Sequence, residues 1–228
     1  MKKLVVSTGA GMSAESGLST YRDANGLWNN YPVMEVASHT GFVQNPALIH
    51  KFYNELRHQL VAAQPNAGHL GLVELEKNFD VRIITQNVDD LHERAGSKSV
   101  LHLHGELMKM RSMRNPNHVY QLPLDDLDTS TLTRDQYGDP VRPHIVFFEE
   151  DVPNFSPAAQ LAAEADIFVI IGTSLAVYPA ASLLNYVRDG VPVYYIDPRP
   201  VKTWRSDIIE IPHPATVGVR HLIETLTT

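Results

Sequence analysis

The chain has no cysteine among its 228 residues. That excludes disulfides, thiolate zinc sites, iron–sulfur clusters and a cysteine nucleophile together. Long apolar runs are also missing: no window approaches the roughly 18 to 20 residues that a membrane span needs. The start, Met1 to Thr8, has a short apolar run after Lys2 and Lys3, too short for a secretory leader. A cytoplasmic protein with no membrane contact is expected. Positive charge is scarce as well, with 19 Lys and Arg against 26 Asp and Glu and a net charge of −7. Nucleic acid and anionic membranes reward a basic face, so neither is an expected partner. Internal repeats and low-complexity tracts are absent too. What remains, 43% hydrophobic and 20% charged residues, describes a globular chain with one core and room for a small appended lobe.

Four β-rich runs stand out, at 4–8, 81–85, 167–171 and 191–196. Near-continuous apolar runs of this length suit strands buried on both faces of a parallel sheet. Each ends in small or polar residues: Gly9-Ala10-Gly11, Gln86-Asn87-Val88-Asp89, Gly172-Thr173-Ser174 and Asp197. Helical spacing predicts helices over 46–63, 66–78, 156–165 (with Ser156 as N-cap before Pro157), 179–188 and 219–226. The alternation predicts an α/β, Rossmann-like sheet flanked by helices, its ligands at the carboxyl ends of the strands. Two stretches break it: 21–41, rich in Gly, Pro, Asn and aromatics, and the polar 112–140. They predict a small lobe of about 21–65 and 108–141, set on a large lobe of about 1–20, 66–107 and 142–228, all one domain.

Gly9-Ala10-Gly11-Met12-Ser13-Ala14 directly follows the first run and fits the Gly-x-Gly-x-x-Gly/Ala dinucleotide pattern at the opening of a helix. Alone this is weak, since a tight turn without a ligand looks the same. No second strand with a terminal acid follows about 20 residues on, as hydride-transfer enzymes require. Asp197, at the end of the fourth run, is the better ribose hook.

Over a longer window the residues become specific. Residues 9–28 resemble the sirtuin signature GAGxSxxSGxxxFRxxxGLW, with Tyr21 in the phenylalanine place and Arg22 retained. Thr85-Gln86-Asn87-Val88-Asp89-Asp90-Leu91-His92 is similar to TQNxDxLH, and Leu103-His104-Gly105-Glu106 to the HGE segment. Residues 142–150 resemble RPxVVxFGE, and residues 172–181 resemble GTSLxVxPAA. The matches span nearly the whole chain in family order.

That resemblance implies an NAD-dependent protein lysine deacylase, moving an acyl group from lysine to ADP-ribose and releasing nicotinamide. It implies NAD contacts at Gly9, Ala10, Gly11, Ser13, Ala14, Tyr21, Arg22, Gly172, Thr173 and Ser174. Asp197 stands where the family usually has an asparagine on the adenine-side ribose, and Ala215 falls near the adenine. Gln86, Asn87, Val88 and Asp89 would line the nicotinamide side, with Asn87 and Asp89 catalytic. His104 would be the general base that deprotonates a ribose hydroxyl, a task suited to imidazole. Among 11 histidines, His92, His102 and His144 are the competing choices. Val146, Phe147, Phe148 and Glu149, with Leu175 and Val177, resemble the segments between which an acyl-lysine peptide adds as a strand.

Two departures matter. Most sirtuins hold zinc by two CxxC pairs between the HGE and RPxVVxFGE segments, whereas residues 108–141 here contain none. A lobe without zinc is expected, with Met113, Val119, Leu122 and Leu124 as a substitute apolar cluster. Secondly, desuccinylase-type sirtuins carry Tyr-x-x-Arg to hold an acidic acyl chain; here Tyr53 matches but Leu56 takes the arginine place. Arg57 lies about 100° further round the helix and should point elsewhere. Glu149, replacing the FGE glycine, adds negative charge. A neutral acyl group is therefore favoured, with desuccinylation as the alternative. Other readings are an ADP-ribosyltransferase or NAD hydrolase using the same pocket, and a non-catalytic NAD sensor. Oligomeric state is left open, a monomer being the simplest.

Overall fold

The computed structural model describes residues 1–18 and 30–227. Its main sheet comprises β1 (Lys3–Thr8), β2 (Asp80–Thr85), β3 (Val100–His102), β7 (Ile167–Ile171), β8 (Val193–Ile196) and β9 (Ile208–Ile211). All six are parallel, in the order β3-β2-β1-β7-β8-β9. A period of two sends alternate residues to opposite faces. Leu4, Val6, Ile83, Val169, Ile171 and Ile196 join one apolar layer, which also contains Leu72 and Leu75 of α4 (Ala67–Leu75) and Val219 and Leu222 of α7 (Ala215–Thr227). Val5, Ile84, Phe168, Ile170, Val193 and Tyr195 face the other layer, with Ala158 and Ala162 of α6 (Phe155–Ala163) and the short helical turns at Ala180–Tyr186. Both faces are covered, which is why the strands read as unbroken apolar runs.

A second sheet is antiparallel: β4 (Gly105–Ser112) lies between β5 (Val119–Gln121) and β6 (Val141–Ile145). Against it pack α1 (Val33–Val36), α2 (His39–Gln44) and α3 (Pro46–Ala62), around Phe42, Ile49, Phe52, Tyr53, Leu107 and Phe147. Asn45 caps α3, accepting from Leu48 N at 3.1 Å, with Pro46 in the first turn where its missing N–H costs nothing. Asn66 forms a capping box with His69 on α4.

Several expectations need correction. Ser156 is inside α6, whose N-cap is Asn154. Residues 180–186 form 3-10 rather than α-helical turns, and the segment after β1 is two 3-10 turns, Ala10–Met12 and Ala14–Ser16, instead of one helix. Strands β3, β9 and the small sheet were not expected as strands. The substitute cluster is also different: Met113 and Leu124 are exposed, and Leu122 packs with Met110 and Val141.

Arg57 is the main tie of this region. Its side chain is fully buried, and burial lowers its pKa to about 10. The guanidinium donates to Leu107 O (3.0 Å), Leu127 O (3.2 Å), Asn54 Oδ1 (2.7 Å) and Thr129 Oγ1 (3.2 Å). It thus joins α3, β4 and the segment before β6 through one side chain.

Candidate functional site

The strand registers align Thr8 with Thr85 and Ile171, Thr85 with His102, and Ile171 with Ile196. The polar strand ends therefore share one edge of the sheet. At its centre β1 lies between β2 and β7, the switch point where open α/β sheets bind ligands. Two loops of distant sequence meet there. Gly9 N donates to Ile171 O (2.9 Å), and Gly11 N to Gly172 O (2.8 Å). A Cβ on Gly11 would sit 2.6 Å from Gly172 Cα, and Gly172 has φ +61°, so neither accepts a side chain. The N–H groups of Gly9 and Gly11 are thus spent joining the loops. Those of Thr173 and Ser174 donate to no backbone carbonyl among the described residues.

Polar side chains line this edge in one network. Ser13 Oγ donates to Asp89 Oδ2 (2.8 Å), and Asn87 Nδ2 reaches Gly9 O and Ser13 Oγ, both at 3.1 Å. Leu91 N donates to Asp89 Oδ1 (3.1 Å). Burial raises the Asp89 carboxyl pKa, opposed by these two bonds. Gln86 Nε2 donates to Thr173 Oγ1 (3.2 Å), tying the β2 and β7 loops. Behind them Thr8 Oγ1 donates to Thr85 Oγ1 (2.9 Å), which accepts from Asn87 N (3.0 Å).

The competing histidines separate by their hydrogen bonds. His104 Nδ1 lies 3.0 Å from Gln86 O, an acceptor only, so that nitrogen carries the proton and Nε2 keeps its lone pair. Burial lowers its pKa below 6.5, opposed by the Gln86 bond, so the ring is neutral near pH 7. His102 has both nitrogens engaged, with Asn87 O (3.0 Å) and Glu93 Oε1 (2.8 Å). His92 Nε2 lies against Thr8 Oγ1 (3.1 Å), and burial puts its pKa well below 6.5. His144 is also lowered by burial, with Arg111 adding to it.

The two expected peptide segments contain the only non-glycine residues with positive φ among those described, Glu149 (74°) and Leu175 (52°). Such conformations cluster at ligand clamps. Glu149 Oε2 accepts from Thr40 N (2.9 Å), and hydrogen bonding to the Thr40 side chain and backbone lowers its pKa. Phe148 pairs by its backbone with Ala37 O (2.8 Å) and His39 N (3.0 Å), while Val146 N bonds His104 O (2.9 Å). The Phe147 ring lies 5.9 Å from that of Tyr53, and Leu56 and Val88 pack on the same apolar cluster. Leu175 is half-buried and Val177 exposed.

Asp197 follows β8, one carboxylate oxygen accepting from Arg199 N (2.8 Å). Ala215 is buried at the first turn of α7, beside Gly68. Ala10 is exposed and Ala14 half-buried on the 3-10 turns. Tyr21 and Arg22 lie outside the described residues. Sequence reasoning missed Glu150: Arg142, Phe147 N (2.9 Å) and His39 surround it, and despite burial the Arg142 contacts lower its pKa to about 2. Its position as the glutamate of the FGE-like segment was the available signal.

Two close-packed loops that require glycine at 11 and 172, a serine, two amides and an acid at a switch point fit a dinucleotide with its ribose and carboxamide. A thiolate zinc centre cannot be assembled, since the chain has no cysteine, and no group of three His, Asp or Glu among the described residues could hold a metal.

Residues 9–179 match the Sir2 family. An NAD-dependent protein deacylase of Bacteroides thetaiotaomicron is 53% identical over 230 residues, covering 99% of this chain and 98% of that protein. One from Helicobacter pylori is 52% identical over 199 residues, covering 87% and 86%. Among solved structures, a Sir2 homolog–NAD complex has a TM-score of 0.86 at 37% identity, covering 99% of this chain and 91% of that one. A Sir2 enzyme with a deacetylated p53 peptide and 3'-O-acetyl ADP ribose has a TM-score of 0.82 at 29% identity, covering 98% and 93%.

Proposed function

The chain belongs to the Sir2 family, and from that premise we propose that it is an NAD-dependent protein lysine deacylase with His104 as its general base. When bound, NAD supplies a nicotinamide–ribose bond whose cleavage exposes an electrophilic anomeric carbon to the acyl oxygen. The observation that carries the reading is the neutral His104 ring, anchored through Nδ1 to Gln86 O with Nε2 left to accept a proton. Asn87 and Asp89, fixed by Ser13 and Gly9 O, orient the nicotinamide side. Gln86 and Val88 line it, while Gly9, Ala10, Gly11, Ser13, Ala14, Gly172, Thr173 and Ser174 hold the phosphates and ribose. Thr173 and Ser174 are the better phosphate donors, because Gly9 and Gly11 have spent theirs on the opposing loop. Asp197 keeps one carboxylate oxygen for the adenine-side ribose, and Ala215 contributes to the adenine side.

Residues 146–149 and 174–177 receive the acyl-lysine segment of a protein substrate. Leu56 with Tyr53, Val88 and Phe147 lines the acyl side with apolar surface, and the Arg57 guanidinium is committed to backbone carbonyls. Among the described residues the cations near this surface are already paired, Arg57 with backbone carbonyls and Arg142, 4.0 Å from the centre of the Phe147 ring, with Glu150; acetyl or longer neutral chains are therefore the proposed substrates. A cytoplasmic location is part of this proposal, and cell fractionation checks it.

The test is mass spectrometry of reactions with NAD and acetyl-, butyryl-, myristoyl- and succinyl-lysine peptides beside His104→Ala. Nicotinamide and O-acyl-ADP-ribose should appear together and fall by about 10²-fold or more in the variant. Succinyl-lysine turning over fastest would overturn the acyl assignment. Nicotinamide without acyl transfer would instead indicate NAD hydrolysis.

A further inference from the structure

We infer that His102, held as an imidazolium between the Asn87 carbonyl and the Glu93 carboxylate, is a positioning residue for the Asn87 loop. His102 ends β3, with its backbone carbonyl accepting from Asn154 Nδ2 at 2.7 Å. Its Nδ1 lies 3.0 Å from Asn87 O and its Nε2 2.8 Å from Glu93 Oε1, on α5 (Leu91–Ala95). Both partners are acceptors when Glu93 is ionised. A neutral imidazole has one N–H, so it satisfies one of them and sets a lone pair against the other. Only the doubly protonated ring bonds both.

The carbonyl of Asn87 is tied to β3 through His102, and the rest of that residue to β1 and β2. Its N–H goes to Thr85 and its amide to Gly9 and Ser13. His102 therefore completes the clamp on a residue to which the deacylase reading gives a direct role. The charged and titratable groups acting on the ring are Glu93 and His92 from α5, Glu106 from β4 and Asp89 from the loop after β2. Burial disfavours the imidazolium, but the hydrogen bond and charge of Glu93, together with the Asn87 carbonyl and Glu106, outweigh it and raise the pKa above 6.5. Lys109 helps keep Glu93 ionised.

The role at Asn87 rests on the deacylase reading, so the decisive readout needs no turnover. Nitrogen NMR of the full chain with labelled histidine, assigned with His102→Gln, should show both His102 ring nitrogens protonated at pH 6.5. A neutral tautomer at that pH would overturn the inference. In Glu93→Gln the ring should be neutral at the same pH, because an amide N–H can donate to Nε2. In wild type, kcat/KM should fall at alkaline pH where the ring loses its proton. That limb should vanish in His102→Gln, with kcat/KM about tenfold lower across the range from the lost bond. An alkaline limb unchanged in His102→Gln would refute the positioning role even if the ring is charged.

Discussion

His104 is anchored through one ring nitrogen, and the proposed reaction uses the other as the base. Because burial lowers its pKa, the base form is present from below pH 6.5 upward. The acid limb of kcat/KM is therefore expected below pH 6.5, rising with pH as the imidazolium loses its proton, and a pH–rate profile checks this. His104 was legible in the sequence as the candidate base through its motif, and so was the shared edge of the polar strand ends at Gly9, Gln86, Gly172 and Asp197. Arg57 was legible only in the negative: one position out of register with Leu56 predicted that it points away from the acyl side, but not where it goes. Its partners Leu107, Leu127 and Thr129 are distant in sequence, and the carbonyls of Leu107 and Leu127 leave no mark on residue type. Removing the guanidinium by Arg57→Met should leave those carbonyls unpaired. About 2–4 kcal/mol of stability should be lost, measured by urea unfolding.

Elements followed the same division. Strands with both faces covered were visible as apolar runs, whereas β3, β5 and β9 have three or four residues and too little periodicity to show. The helix expected after Gly11 is two 3-10 turns because the chain there bends to meet the loop after β7. That close approach is testable: Gly11→Ala places a Cβ 2.6 Å from Gly172 Cα and should cost about 1–3 kcal/mol by overpacking, together with NAD affinity. Calorimetry and thermal melts check both. At β6 and the turn after it, Glu150 has a folded pKa of about 2 against an ordinary 4.5. A depressed carboxyl stabilises the fold above pH 4.5 and loses that contribution as pH falls towards 2. Glu150→Gln should therefore lose about 1–2 kcal/mol at pH 7 after allowing for solvent screening, and the difference from wild type should shrink near pH 3 in denaturant titrations.

For the whole molecule, a small sheet held by an arginine instead of thiolate zinc predicts indifference to chelators. Prolonged EDTA treatment should leave the melting temperature and deacylase rate unchanged, and elemental analysis should find no stoichiometric zinc. Amide exchange should open β4–β6 and the loops around them before the six-stranded sheet, whose central strands have both faces covered.

The pairing of β1 with both β2 and β7 also governs the order in which the protein can be assembled during synthesis. Gly9 leaves the ribosome long before Gly172, and until β7 follows, the first strand has one neighbour and the glycine turn has no opposing loop. A nascent chain stalled before residue 167 would therefore hold half of the cofactor cleft and an open apolar sheet edge. Such an edge is the surface that chaperones cover. If the proposed site holds, nucleotide cannot rescue that intermediate, because the loop assigned to complete its binding is the part still to be made.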